Sequence, residues 1–135
     1  MKVFITSSFK GIENKKEIEV LCELVKKSGF IDFSFIRDIE NYEKKFNNPN
    51  ELMKKAKEEI KKCGALLIDM TNKPTGRAIE AGIAYSYNKI IITIMKKGTK
   101  IKDTSKGISD IIIEYNNIEE IVEPLNLFLN ELNKN

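Results

Sequence analysis

The sequence contains no histidine. This excludes Ser-His-Asp and Cys-His nucleophiles and most zinc chemistry. Any acid–base work must come from carboxylates, tyrosine or lysine. Cysteine is scarce. Cys22 and Cys63 fall within apolar helical patterns, have no metal-ligand spacing, and read as core thiols of a reducing compartment. Arginine is scarce as well: Arg37 and Arg77 stand alone among many lysines. A net charge of +3, with basic and acidic residues interspersed, gives no argument for a nucleic-acid partner. No apolar run is long enough for a signal sequence or a membrane span, so the expected location is the cytoplasm, with no membrane partner. The glycine-rich fingerprints GxGxxG and GxxxxGK[ST] are missing too, which removes a dinucleotide fold signature and a P-loop.

What is present is a chain of 135 residues, 41% hydrophobic and 32% charged, enough for one domain over 1–135. Val3–Ile5 reads as a first strand ending in the polar loop Thr6-Ser7-Ser8. Ile18, Leu21, Cys22, Leu24 and Val25 share one face of a helix that Ser28-Gly29 stops. Alternation over Phe30–Ile36 predicts a second strand, and Arg37–Asn50 is polar and irregular. Asn50 is a good N-cap for a second helix carrying Leu52, Met53, Ala56, Ile60 and Cys63. Ala65–Ile68 is continuously apolar, as in the centre of a parallel sheet, and ends at Asp69. The loop Met70–Gly76 leads to a third helix around Ala78–Tyr87, with Ile79, Gly82 and Ile83 expected to face the sheet. Ile90–Met95 is a fourth strand, a lysine- and glycine-rich loop runs to Gly107, and Ile111–Ile113 is a fifth. Asn117 and Glu120 resemble a capping box for a last helix, in which Pro124 implies a kink or a late start.

Five β-α alternations without a repeat or linker predict a three-layer, doubly wound α/β fold. Its five parallel strands take the flavodoxin- or Rossmann-like order 2-1-3-4-5. Ligands bind outside the strand C-termini at the switch point, here between strands one and three. That places Thr6–Gly11 and Met70–Gly76 at the site. Hydroxyls and free amides at a helix start suit an anion, and Lys10 adds charge. Thr75-Gly76 forms a second cradle. Glu80 sits among Ala78, Ile79, Ala81, Gly82, Ile83 and Ala84, poor company for a solvated surface charge. A receiver domain shares this topology but needs acidic residues after strand one, where this chain has Thr6, Ser7 and Ser8.

The stretch ALLIDMTNKPTGRAIEAGIAYSYNKIIITI resembles the core of the nucleoside 2-deoxyribosyltransferase family, which includes 2'-deoxynucleoside 5'-phosphate N-hydrolases. Gly76, Glu80, Gly82 and Ala84 match its Gly and Glu-x-Gly-x-Ala pattern in register, and VFITSSF resembles its first strand and loop. The resemblance implies that Glu80 is a nucleophile. It would attack the anomeric carbon of a nucleoside or nucleoside 5'-monophosphate, expel the base, and pass the sugar to water or another base. A carboxylate beside an oxocarbenium-like centre can do this without metal or cofactor. A Glu near a helix N-terminus is expected to stay ionised at neutral pH. The remaining substrate-binding candidates are Thr6, Ser7, Ser8, Phe9, Lys10, Thr75, Gly76 and Arg77. Two aspartates common in the family are replaced here by Ala56 and Pro74. Asp69 is then the expected base-orienting or proton-donating group, with Asp38 in reserve. The same replacements leave open a non-catalytic nucleotide-binding or sensing module, or a partner-binding scaffold. A homodimer or higher homo-oligomer is expected through the second and third helices, where Tyr85 and Tyr87 exceed what sheet packing requires.

Overall fold

The computed structural model describes residues 1–8 and 10–134, apart from the side chains of Ile12 and Glu13. The elements are β1 (Lys2–Ile5), α1 (Ile12–Lys27), β2 (Ile31–Ser34), α2 (Phe35–Asp38), α3 (Pro49–Lys62) and β3 (Ala65–Asp69). They continue with α4 (Thr75–Ser86), β4 (Ile90–Lys96), α5 (Asp103–Ile108), β5 (Ile111–Tyr115), a 3-10 turn (Ile118–Ile121) and α6 (Val122–Asn133). All strand pairs are parallel, in the order β2-β1-β3-β4-β5.

Alternating side chains of each strand leave for opposite faces, and this divides the core into two layers. Val3, Ile5, Leu67, Ile92 and Ile94 pack with Ile18, Cys22 and Val25 of α1 and Leu125 and Leu129 of α6. Phe4, Leu66, Ile68 and Ile91 pack with Ala56 and Ile60 of α3 and Ala81 and Ala84 of α4. Both faces of β1, β3 and β4 are therefore covered, which is why their central residues are mostly apolar without alternation.

Several local details differ from the sequence reading. The second strand ends at Ser34, because the chain turns there into a short helix. Ser34 is its N-cap: its Oγ accepts from the Arg37 amide, and Asp38 Oδ2 accepts from the Ser34 amide. Reciprocal capping of this kind outweighs the strand-like alternation of Phe33 and Phe35. The cap of α3 is Asn48 rather than Asn50. Asn48 Oδ1 accepts from the Asn50 amide, since Pro49 suits the first helical position. The stretch before Gly107 contains α5, and β5 runs on to Tyr115. The chain enters α6 through the 3-10 turn, which leaves Pro124 in the first helical turn, where its missing amide costs nothing. Of the expected sheet-facing stripe of the Glu80 helix, only Ile83 packs against the core. Ala81 and Ala84 face the sheet, Gly82 borders open space, and Ile79 is 57% exposed.

Candidate active site

β1 ends at Ile5, and Thr6 continues its ladder, its backbone N–H donating a hydrogen bond to Leu67 O at 3.0 Å. The loop beyond it is tied down by Asn14, whose Oδ1 accepts from the Lys10 amide at 2.8 Å and whose Nδ2 donates to Ser8 O at 2.6 Å. Two cavities open here, on either side of a common wall. Thr6, Ser7, Ser8 and Arg77 line both.

The smaller cavity, about 400 Å³, is the one that Glu80 lines, together with Gly76, Ala56 and Glu40. Its carboxyl is half-buried. Burial pushes it up to about 7, the Thr6 hydroxyl opposes this, the charge of Glu40 adds to it, and Arg77 opposes it. The expectation of a fully ionised carboxylate therefore gives way. Glu80 lies in the second turn of a helix that starts at Thr75, and the dipole's benefit fades beyond the first turn. Thr6 is 2% exposed, and its Oγ1 has no hydrogen-bond partner among the described residues. It faces the Glu80 carboxyl closely enough to favour its charge, but without the geometry of a formed hydrogen bond. Arg77 Nε is likewise buried and unpartnered among the described residues. Burial lowers the Arg77 pKa, against the pull of Asp69 and Glu80.

The larger cavity, about 820 Å³, holds Lys10, Asp69, Thr71, Lys96 and Tyr115. Asp69 is occupied there. Its Oδ1 accepts from the Thr71 amide at 2.9 Å and the Thr71 hydroxyl at 2.6 Å, and its Oδ2 accepts from the Tyr115 hydroxyl. Burial and the hydrogen bond to Asp69 push the Tyr115 phenol up to about 12, so it remains a donor.

The structure thus brings Thr6, Ser7, Ser8, Gly76 and Arg77 to Glu80, and leaves other candidates elsewhere. Asp69 caps the loop after β3 and lines only the larger cavity. Asp38 lines neither. Its two oxygens accept from Arg37 Nε and Nη2 at 2.8 Å and from the Ser34 amide at 3.0 Å. Burial would raise its pKa, but Arg37 and the Ser34 amide prevail and lower it. Thr75 is exposed and lines neither cavity. Phe9 lies outside the described residues. Sequence reasoning missed Glu40, whose place in the cavity depends on the α2 turn hidden inside an apparent strand. No group of three His, Cys, Asp or Glu side chains among the described residues could hold a metal ion. Among the described residues, no helix is long and apolar enough to cross a membrane.

Solved structures superpose on this chain over nearly its whole length. The CMP N-glycosidase BcmB of Clostridium botulinum matches with a TM-score of 0.70 and 24% identity, over 95% of this chain and 99% of that one. The chain shares that fold. The 2-deoxyribosyltransferase of Bacillus psychrosaccharolyticus matches with a TM-score of 0.69 and 20% identity, over 90% of each chain. A conserved protein from Enterococcus faecalis V583 matches with a TM-score of 0.71 at 9% identity, over 95% of this chain and 98% of that one. No family model and no curated protein matches the sequence.

Proposed function

We propose that this protein belongs to the nucleoside 2-deoxyribosyltransferase family and cleaves or transfers at the N-glycosidic bond of a nucleoside or nucleoside 5'-monophosphate, with Glu80 as nucleophile. The carrying observation is the half-buried Glu80 carboxyl in a cavity of about 400 Å³, facing a buried and unpartnered Thr6 hydroxyl. An unpartnered buried hydroxyl is costly, and a sugar hydroxyl in the cavity would satisfy it. A carboxyl pushed up to about 7 is about half ionised at neutral pH. Desolvation makes the ionised fraction a stronger nucleophile toward an electron-poor anomeric carbon. Ser7, Ser8 and Arg77 stand around the same wall and would hold the sugar or its 5'-phosphate. The likeness to an N-glycosidase and a deoxyribosyltransferase supports the reading by shared fold.

Incubation with a panel of ribo- and deoxyribonucleosides and their 5'-monophosphates, followed by assay for free base, tests it. Base release by the wild type and its abolition in Glu80→Ala are expected. Undiminished turnover in the variant would remove the mechanism.

A second reading, a nucleotide-binding module without turnover, is favoured by Ala56 and Pro74 at positions where the family often has aspartates. It predicts that a nucleotide raises the melting temperature while no base is released. For assembly we propose a homodimer through α3 and α4. Ile79 and Tyr85, 57% and 53% exposed, lie on the face of α4 turned from the sheet.

A further inference from the structure

Resting on the reading above, we infer that Glu40 is the proton donor to the departing base and the proton acceptor for the water that releases the sugar. Glu80 and Glu40 approach the cavity from different elements, α4 and the segment after α2, and both line it. Glu40 is half-buried, and its side chain has no ion pair or hydrogen bond among the described residues. Asp69 and Asp38, by contrast, have every oxygen engaged by neighbours. The buried Thr6 hydroxyl lines the same space beside the Glu80 carboxyl without a formed hydrogen bond, which leaves it available to a polar ligand in the cavity.

Burial raises the Glu40 pKa, and its charge in turn raises that of Glu80. Two interacting carboxyls titrate as a pair, and the useful state has a single proton, on Glu40, with the Thr6 hydroxyl and Arg77 favouring the charge on Glu80. In the first step Glu80 Oε attacks the anomeric carbon, the C–N bond breaks with its electron pair going to the base, and Glu40 gives the base its proton. In the second step water attacks the anomeric carbon, and Glu40 carboxylate takes a proton from that water. The ester bond to Glu80 breaks, returning its electron pair to the carboxylate. Atoms and charge balance, and both carboxyls return to their starting states.

The other titratable groups lining the cavity are Arg77 from α4 and Tyr42, Glu43 and Lys44 from the segment bearing Glu40. α3 contributes only Leu52, Met53 and Ala56. The test is kcat and KM of Glu40→Gln across pH, on whichever nucleotide of the panel the wild type hydrolyses fastest. Loss of a positioned general acid should lower kcat at least about a hundredfold with little change in KM. The alkaline fall of the wild-type profile, where the pair loses its last proton, should disappear. The acid limb should move to lower pH, because a neutral amide no longer repels the Glu80 charge. The shape of the profile does not depend on how much of the variant folds. Near-wild-type kcat in Glu40→Gln, or a retained alkaline limb at any kcat, overturns the inference while leaving the Glu80 mechanism standing. No base release by the wild type overturns both.

Discussion

At the residue scale, the Glu80 carboxyl is held at a cost. Glu80 is pushed up to about 7 by burial, far above the value of a free glutamate. A carboxyl raised in the folded state contributes stability that is fully present below the unfolded pKa and is lost as pH climbs through the folded one. Glu80→Gln should therefore melt progressively higher than the wild type as pH rises from about 4.5 to above 7, by roughly 1–3 kcal/mol at the alkaline end. Thermal melts of both proteins at pH 5 and pH 8 would show it. An equal difference at both pH values would contradict a buried Glu80. Asp69 contributes through its hydrogen bonds. It accepts from an amide and two hydroxyls, so Asp69→Asn should cost about 1–2 kcal/mol of stability. Base release should fall far less than in Glu80→Ala. A severe loss of turnover with an unchanged melting point would return Asp69 to the chemistry.

At the element scale, the fold was legible wherever one signal dominated. The strand order, the continuously apolar β3, the largely apolar β4 and the helix stop at Ser28-Gly29 followed from pattern alone, because burial on both faces and a positive φ at Gly29 leave few alternatives. Gly29 has φ +105°, and a Cβ there would stand 3.0 Å from Leu129 Cδ2. Gly29→Ala should destabilise by about 1–2 kcal/mol. Because it precedes β2 at the sheet end away from the cavities, catalysis should be untouched. Denaturant melts beside the base-release assay would check both halves. The site was legible in part. Glu80 stood out because apolar and small neighbours surround it, and the loop after β1 because the switch point requires it. Glu40 was invisible, since Phe33 and Phe35 alternate like a strand while Ser34 and Asp38 actually cap a turn. Asp69 was ambiguous for a related reason. A residue at a strand's end can serve the ligand or the loop, and only the positions of Thr71 and Tyr115 decide between them.

At the scale of the whole molecule, the exposed side of α4 is the feature that packing leaves unexplained. Ile79 and Tyr85 stand out from it, while Tyr87 turns back toward the core. Sedimentation at micromolar concentration should give a species larger than 15.5 kDa, and Ile79→Glu with Tyr85→Ser should shift it to the monomer. A single 15.5 kDa species, still active, would show that the cavity needs no second chain.

The strand order also dictates a sequence of events on the ribosome. β1 is synthesised before either of its neighbours, yet it pairs with β2 on one side and β3 on the other. Until Ala65–Asp69 has emerged, Val3, Phe4 and Ile5 have half their backbone partners, and no crossover completes the sheet sooner. A nascent chain in that interval carries an apolar strand with an open edge, the kind of segment that recruits copies of itself. Lys2 is the first residue of that strand, while on α1 the exposed Lys15, Lys16, Lys26 and Lys27 are balanced by the exposed Glu17, Glu19 and Glu23. A charge within a strand whose edge is still open discourages pairing with a copy, so Lys2 serves the protein before it is finished.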